Sequence, residues 1–263
     1  MIKNLYSMKN KICLITGGSS GLGSYIARGF LEAGASKVYI TARSEDKLIK
    51  KANELTKISD GECIAISGDL STLDGVKKLV SDINAKEKHI DVLVNNAGIG
   101  LGTPIKTMKV EDWDKTMDLN TKSPIFLTQA LLGMLSKKAT LDEPSRVIFI
   151  SSVAASIVVP SVLAYSASKK VLEHLTTQLA LAVSDDFIRV NAIAPGRFYS
   201  EMTRRAWQDP NAESFKAELK KIPAHRYGDE NDMAGVAVML CSRAGAYFHG
   251  EILNLDGGYR LTF

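Results

Sequence analysis

Lys11-Ile-Cys-Leu-Ile-Thr-Gly-Gly-Ser-Ser-Gly-Leu-Gly23 decides the fold. A short apolar run ends in glycines, and residues 22–33 then repeat apolar side chains at helical spacing until Gly34 stops them. The order is strand, tight turn, helix. The spacing Gly17-x-x-x-Gly21-x-Gly23 permits a sharp turn, a close approach of backbone to an anion, and tight helix packing. Two readings fit it. One is a plain glycine turn; the other is a pyrophosphate-binding loop made of Gly17, Ser19, Ser20, Gly21, Leu22 and Gly23.

Outward from that stretch, strand-like runs recur at 37–42, 62–67, 90–95, 146–151, 187–194 and 251–255. Helical patterns fill 44–55, 72–84, 110–137, 162–183 and 229–241, with Ser44 offering an N-cap and Pro124 a turn or kink. No linker interrupts the alternation. It predicts an α/β, Rossmann-type doubly wound fold, a seven-stranded parallel sheet with helices on both faces. Residues 1–8 read as a short arm and 9–263 as a single domain. Ligands of such sheets lie beyond the carboxyl ends of the strands, where the strand order reverses. The glycine turn, Asn95-Asn-Ala-Gly98, Ser151-Ser152 and Pro195-Gly196 all follow strands on that one edge.

At 263 residues the chain is long enough for one large core, and 45% apolar with 24% charged residues describes an ordinary globular protein. A formal charge of +4 with scattered lysines argues against nucleic acid. Cys13, Cys63 and Cys241 are odd in number and widely spaced, which reads as reduced core thiols. His89, His174, His225 and His249 have no ligand spacing, so no metal is expected. No run reaches ~18 apolar residues and the N-terminal stretch lacks a signal-peptide pattern, so a cytoplasmic protein without membrane contact is expected.

Tyr165 and Lys169 stand four residues apart in a helical segment, so both lie on one face with Cβ atoms about 5–6 Å apart. A cation there favours phenolate and tunes a phenol, ordinarily of pKa about 10, toward proton transfer. The same spacing also describes an exposed helical pair.

Arg43 follows the second strand, where an acidic residue holds the ribose hydroxyls of NAD in other dinucleotide sites. An arginine there is suited to a 2′-phosphate, giving NADP(H), or is simply a surface residue. Asp69, with Leu70, ends the third strand, either at the adenine edge or as a helix N-cap.

Taken together, Thr16-Gly17-x-x-x-Gly21-x-Gly23, Asp69, Asn95-Asn96-Ala97-Gly98, Asn120, Ser152, Tyr165-x-x-x-Lys169 and Pro195-Gly196 through Ser200 resemble the short-chain dehydrogenase/reductase family over residues 8–263. Within it, Ala194-Pro-Gly-Arg-Phe-Tyr-Ser200, Met202-Thr-Arg204, Ala244-Gly-Ala-Tyr247 and Leu255-Asp-Gly-Gly258 are similar to 3-oxoacyl reductase-like members and a bacterial branch linked to rhamnolipid synthesis. The resemblance implies a tetrad. Tyr165 would exchange the proton, Lys169 would lower its pKa and bind the nicotinamide ribose, and Ser152 would polarise the reacting oxygen. Asn120 would kink its helix and hold a water that links Lys169 to solvent. It also implies cofactor contacts from Asn96, Ala97, Gly98, Pro195, Gly196, the backbone of Phe198, and Ser200. The neighbour of Ser152, Ser151, faces the other way in a strand. His174 lies on a different helical phase.

Residues 197–225, with Trp207, Pro210, Phe215 and Pro223, form either a lid or an ordinary helical insertion. Ile99, Leu101, Ala154, Val159 and Tyr199 make the surroundings of the reacting centre apolar, which suits an uncharged ketone or an acyl thioester. A homotetramer, or a homodimer, is expected from helices 110–136 and 162–183 and the C-terminal strand. The leading expectation is an NADP(H)-dependent ketoreductase. The alternatives are an NAD(H)-linked alcohol or steroid dehydrogenase and a non-catalytic cofactor-sensing protein.

Overall fold

Strand β1 (Ile12–Thr16) is buried at every position, as expected of a strand covered on both faces. Its residues divide between two cores by alternation. Cys13 and Ile15 join β2 (Lys37–Ala42) residues Val38 and Ile40 in one cluster; Ile12 and Leu14 join Tyr39 in the other. The first cluster is roofed by α2 (Gly21–Glu32), α3 (Glu45–Thr56) and α10 (Glu230–Cys241), and the second by α4 (Leu73–Asn84), α6 (Ser123–Ser136) and α7 (Leu163–Ala182). The remaining helices are α1 (Ile2–Leu5), α5 (Val110–Met117), α8 (Arg204–Trp207) and α9 (Glu213–Lys220). This is a computed structural model describing residues 2–200, 203–209 and 211–263.

The other strands are β3 (Glu62–Ser67), β4 (Val92–Asn95), β5 (Ser145–Ile150), β6 (Ile188–Pro195) and β7 (Ile252–Leu255). All pair in parallel, in the order β3-β2-β1-β4-β5-β6-β7. The order reverses between β1 and β4, so the crevice lies beyond Thr16 and Asn95.

Several boundaries differ from expectation for visible reasons. The fourth strand starts at Val92, because the Asp91 carboxylate accepts from the Ile12 N–H at 2.7 Å where a ladder carbonyl would otherwise stand. The sixth starts at Ile188, because Phe187 takes a left-handed φ of 55°. Ser44 stands at the N-cap of α3 without a side-chain capping bond. The expected helix over 110–137 is divided by a π turn at Asp118–Lys122, ahead of Pro124, which falls in the first turn of α6. Met8, placed in the N-terminal arm by sequence, is fully buried, and its N–H donates to the Ala33 carbonyl. Met1 lies outside the described residues.

A buried cation closes one helix. Arg146 on β5 is 1% exposed and donates to the carbonyls of Leu240 and Ser242 at 3.1 Å each, and to that of Pro144. It thereby serves the carbonyls at the C-terminus of α10.

A third apolar cluster gathers Val153, Phe215, Ile222, Tyr227 and Tyr259. It packs α9 and the C-terminal segment beside the end of β5. Met202 and Pro210 of the lid expectation lie outside the described residues.

Candidate active site

The glycine turn is held by backbone that tolerates no side chain. Gly17 has φ of 69°, and a Cβ there would fall 2.8 Å from Asn96 Nδ2. A Cβ on Gly23 would fall 2.4 Å from the Gly17 carbonyl oxygen, so the turn and helix touch. The N–H groups of Gly17 and Gly18 donate to Thr41 O. The Asn96 amide nitrogen donates to Thr16 O at 2.8 Å and Gly17 O at 3.0 Å. The Thr16 hydroxyl accepts from the N–H groups of Asn96 and Ala97, joining the ends of β1 and β4. Ser20, at the N-cap of α2, makes no side-chain capping bond, which leaves the first-turn N–H groups of α2 available to an anion.

At the other end of the crevice, Arg43 is exposed just past β2. The Asp69 carboxyl is held below its ordinary pKa, first by the Ser71 N–H at 3.0 Å and further by the Arg43 charge. The N-cap alternative for Asp69 falls away, since Thr72 Oγ1 accepts from Gly75 N and caps α4. Leu70 turns its side chain into the second core cluster. A buried hydroxyl, Thr41 Oγ1, has no hydrogen-bond partner among the described residues. Phosphate turn, available helix N-terminus and exposed arginine form a cradle that fits a dinucleotide with a 2′-phosphate.

Across the edge, Ser152 follows β5, and Tyr165 and Lys169 stand on successive turns at the start of α7. The Ser152 side chain neighbours the Tyr165 phenol and acts on its pKa, and Ser152 Oγ accepts from Ala154 N at 3.2 Å. Burial pushes the Tyr165 phenol above its ordinary pKa, and Ser152 pulls it part of the way back. The net direction is thus upward, where a phenol lowered by Lys169 was expected. Lys169 Nζ lies 5.6 Å from the ring centroid and donates to Ile150 O at 2.7 Å. Lys169 is 4% exposed, and burial brings its pKa down to about 8.

Asn120 sits in the π turn, 1% exposed. Its Oδ1 accepts from Ile99 N, and its Nδ2 donates to Ile99 O and to Ser168 Oγ. Ser168 in turn donates to Tyr165 O at 2.7 Å. Ser151 faces away from Ser152, as alternation requires, and donates to Glu173 Oε1 at 3.1 Å. His174 is exposed on the far side of the helix.

Other expected contacts divide. Ser200 stands against Gly21, whose Cβ would lie 3.3 Å from its own. Gly196 is required by a different neighbour, since its Cβ would meet the Asp256 backbone at 2.7 Å. The carbonyl of Phe198 is engaged by the Thr203 hydroxyl, and its ring is in the first core cluster. Sequence reasoning missed Thr16 as the joint between β1 and β4, Ser168, and Glu173, a carboxylate that is 6% exposed. Nothing in their spacing signals these contacts. Among the described residues no cluster of His, Cys, Asp and Glu is arranged to hold a metal, and no helix is long and apolar enough to cross a membrane.

Comparison with known proteins agrees with this fold. The family model described as enoyl-(acyl carrier protein) reductase matches residues 17–260. The rhamnolipids biosynthesis 3-oxoacyl-[acyl-carrier-protein] reductase of Pseudomonas aeruginosa is 40% identical over 97% of this chain and 98% of its own length. A 2-dehydro-3-deoxy-D-gluconate 5-dehydrogenase of Formosa agariphila is 33% identical over 100% of this chain and 97% of its own. Among solved structures, the Pseudomonas aeruginosa RhlG/NADP active-site complex superposes with a TM-score of 0.93 at 39% identity, covering 98% of this chain and 99% of that one. Fold, motif order and these full-length likenesses agree, and the chain belongs to the short-chain dehydrogenase/reductase family.

Proposed function

We propose that the protein is an NADP(H)-dependent ketoreductase acting on a 3-oxoacyl or other uncharged ketone. The observation that carries this reading is the gathering of Ser152 and Tyr165 beside Lys169, on the edge where the phosphate turn opens. Two hydroxyls converging there suit one oxygen that gains negative charge. The bound nicotinamide supplies the hydride. Tyr165 Oη donates its proton to the carbonyl oxygen, and Ser152 Oγ donates a hydrogen bond to the same atom. Lys169 Nζ stabilises the phenolate left behind. Asn120, tied to Ile99 and Ser168, braces the floor of the site and holds the water through which the proton returns. Burial keeps the phenol protonated, the form that donates in reduction.

The 2′-phosphate is assigned to Arg43, which supports NADP(H) over NAD(H), as does the NADP in the Pseudomonas structure. The glycine turn with Leu22, Asn96 to Gly98 and Ser200 binds the remainder. Partly buried Ile99, Leu101 and Val159 and buried Ala154 support an apolar substrate. We read the protein as cytoplasmic, which three free, buried cysteines support, and as a homotetramer. The unpaired edge of β7, with Phe126 on α6 and Leu181 on α7 exposed, supports association between copies. A mass of one chain at micromolar concentration would count against that reading.

The family description raises one second reading, reduction of a carbon–carbon double bond. One assay separates the two. NADPH oxidation is followed with 3-oxoacyl thioesters, cyclic ketones and 2-enoyl thioesters, in wild type and Tyr165→Phe. Turnover of the ketones that is lost in the variant supports the proposal. Turnover of enoyl thioesters alone, or ketone turnover that survives the variant, refutes it.

A further inference from the structure

Tyr25 lies on α2 one turn past Gly21, and its phenol donates to the Tyr199 carbonyl at 2.8 Å. The partners are 174 residues apart in sequence. The segment they fasten stands at the mouth of the phosphate turn, since a Cβ at Gly21 would come within 3.3 Å of the Ser200 Cβ.

The carbonyls of this segment are served in a telling way. The Phe198 carbonyl accepts from the Thr203 hydroxyl, and the Ser200 carbonyl from Thr203 N at 3.2 Å and Trp207 Nε1 at 3.3 Å. Both are satisfied locally, by Thr203 and Trp207. Tyr199 lies between them, and its carbonyl is served from α2. The Tyr199 ring meanwhile rests on Trp207 and Tyr227, with centroids 5.4 and 5.3 Å away. Phe198, Tyr199, Ser200, Thr203 and Trp207 thus form a knot fastened to the phosphate-turn helix through Tyr25. The next turn of α2 reinforces the placement, because Arg28 pairs with Glu230 at the start of α10. Burial, with Glu230 and Asp229 nearby, raises the Tyr25 pKa, so the phenol stays a donor at neutral pH.

We propose that Tyr25 is a positioning residue for the dinucleotide: it holds Ser200 at the mouth of the phosphate turn and so slows release of the cofactor. The inference rests on the reading of that turn as a dinucleotide site. Tyr25 is partly exposed, and water can serve the Tyr199 carbonyl when the phenol is absent, so the loss is one of order at the turn. A free loop must be ordered on each binding event, whereas a fastened one is ordered in advance.

Tyr25→Phe keeps the ring and removes the donor. NADPH binding is measured by nucleotide fluorescence at equilibrium and by stopped-flow displacement, and 2′-AMP, which lacks the pyrophosphate, by competition. The expected result is a rise of about three- to tenfold in the NADPH dissociation rate and Kd, with 2′-AMP affinity unchanged. NADPH binding equal to wild type overturns the proposal, and so does an equal loss for 2′-AMP, which indicates a general distortion. Failure of the wild type to bind any dinucleotide overturns the cofactor reading itself, a result distinct from both.

Discussion

Asn120 and Ile99 pair through both groups of the Asn120 carboxamide, Oδ1 accepting from Ile99 N at 2.9 Å and Nδ2 donating to Ile99 O at 2.9 Å. This is the geometry of a two-bond amide pair between a π turn and the loop after β4. The third bond, Nδ2 to Ser168 Oγ at 3.1 Å, carries the connection to the helix of Tyr165 and Lys169. One buried side chain therefore fixes three separate parts of the site.

Asn120→Asp tests that role, because a carboxylate keeps the shape and loses both Nδ2 donors. The Ile99 carbonyl then faces an oxygen instead of a nitrogen. The expected cost is about 2–3 kcal/mol for unmet buried groups, or about 4–12 °C in Tm for a chain of this size. Thermal unfolding measures it, and kcat should fall with it. A Tm within a degree of wild type would show that the amide pair carries little.

Lys169 predicts a pH dependence with a definite sign. Its pKa is about 8 when folded against an ordinary 10.5, so the unfolded chain binds more protons between those values. Stability from this group is therefore lowest below pH 8 and rises toward 10.5. Lys169→Met should raise Tm at neutral pH by relieving a buried charge, while abolishing turnover, and should flatten that rise. In the wild type, kcat for reduction should fall as pH passes about 8, as the ammonium is lost. A rate that is flat from pH 7 to 10 would refute the role given to the charge.

The sheet was legible because alternation along the chain is a local signal, and strands buried on both faces read as short apolar runs. The candidate residues Asn120, Ser152, Tyr165 and Lys169 stand out by motif order. The joints between them do not. The resemblance implies a kink at Asn120, but only the partner Ile99, 21 residues away, shows why the helix widens over Asp118–Lys122. Glu173 reads as a solvated helix residue until Ser151 and Lys170 are seen closing over it. The direction of the Tyr165 pKa was misread for the same reason, since spacing reveals the neighbouring charge but not the desolvation.

Arg43 predicts cofactor choice. A charge-assisted contact to a 2′-phosphate is worth about 1.5–3 kcal/mol, so Arg43→Ala should lower the NADPH/NADH ratio of kcat/KM by about 10- to 100-fold, mostly through KM. Arg43 is exposed, so its loss leaves the fold intact, and an unchanged Tm checks this. An unaltered ratio would remove Arg43 from the cofactor site.

Arg146 offers a prediction remote from the chemistry, on which two physical effects compete. Its guanidinium is buried with no carboxylate partner among the described ion pairs, and burial lowers its pKa, so removing the charge returns some desolvation energy. Against that, Arg146→Met strands the carbonyls of Leu240, Ser242 and Pro144 beneath the sheet edge, at the negative end of α10. Unmet buried carbonyls cost about 1–3 kcal/mol each, which exceeds the relief expected for a delocalised, weakly hydrated cation. A net loss of about 2–4 kcal/mol follows, read as a lower urea midpoint with unchanged m-value. Arg146→Lys should recover only part of it, because one ammonium cannot present the planar fork that reaches three carbonyls. A Met variant as stable as wild type would mean that burying the charge costs as much as its hydrogen bonds return.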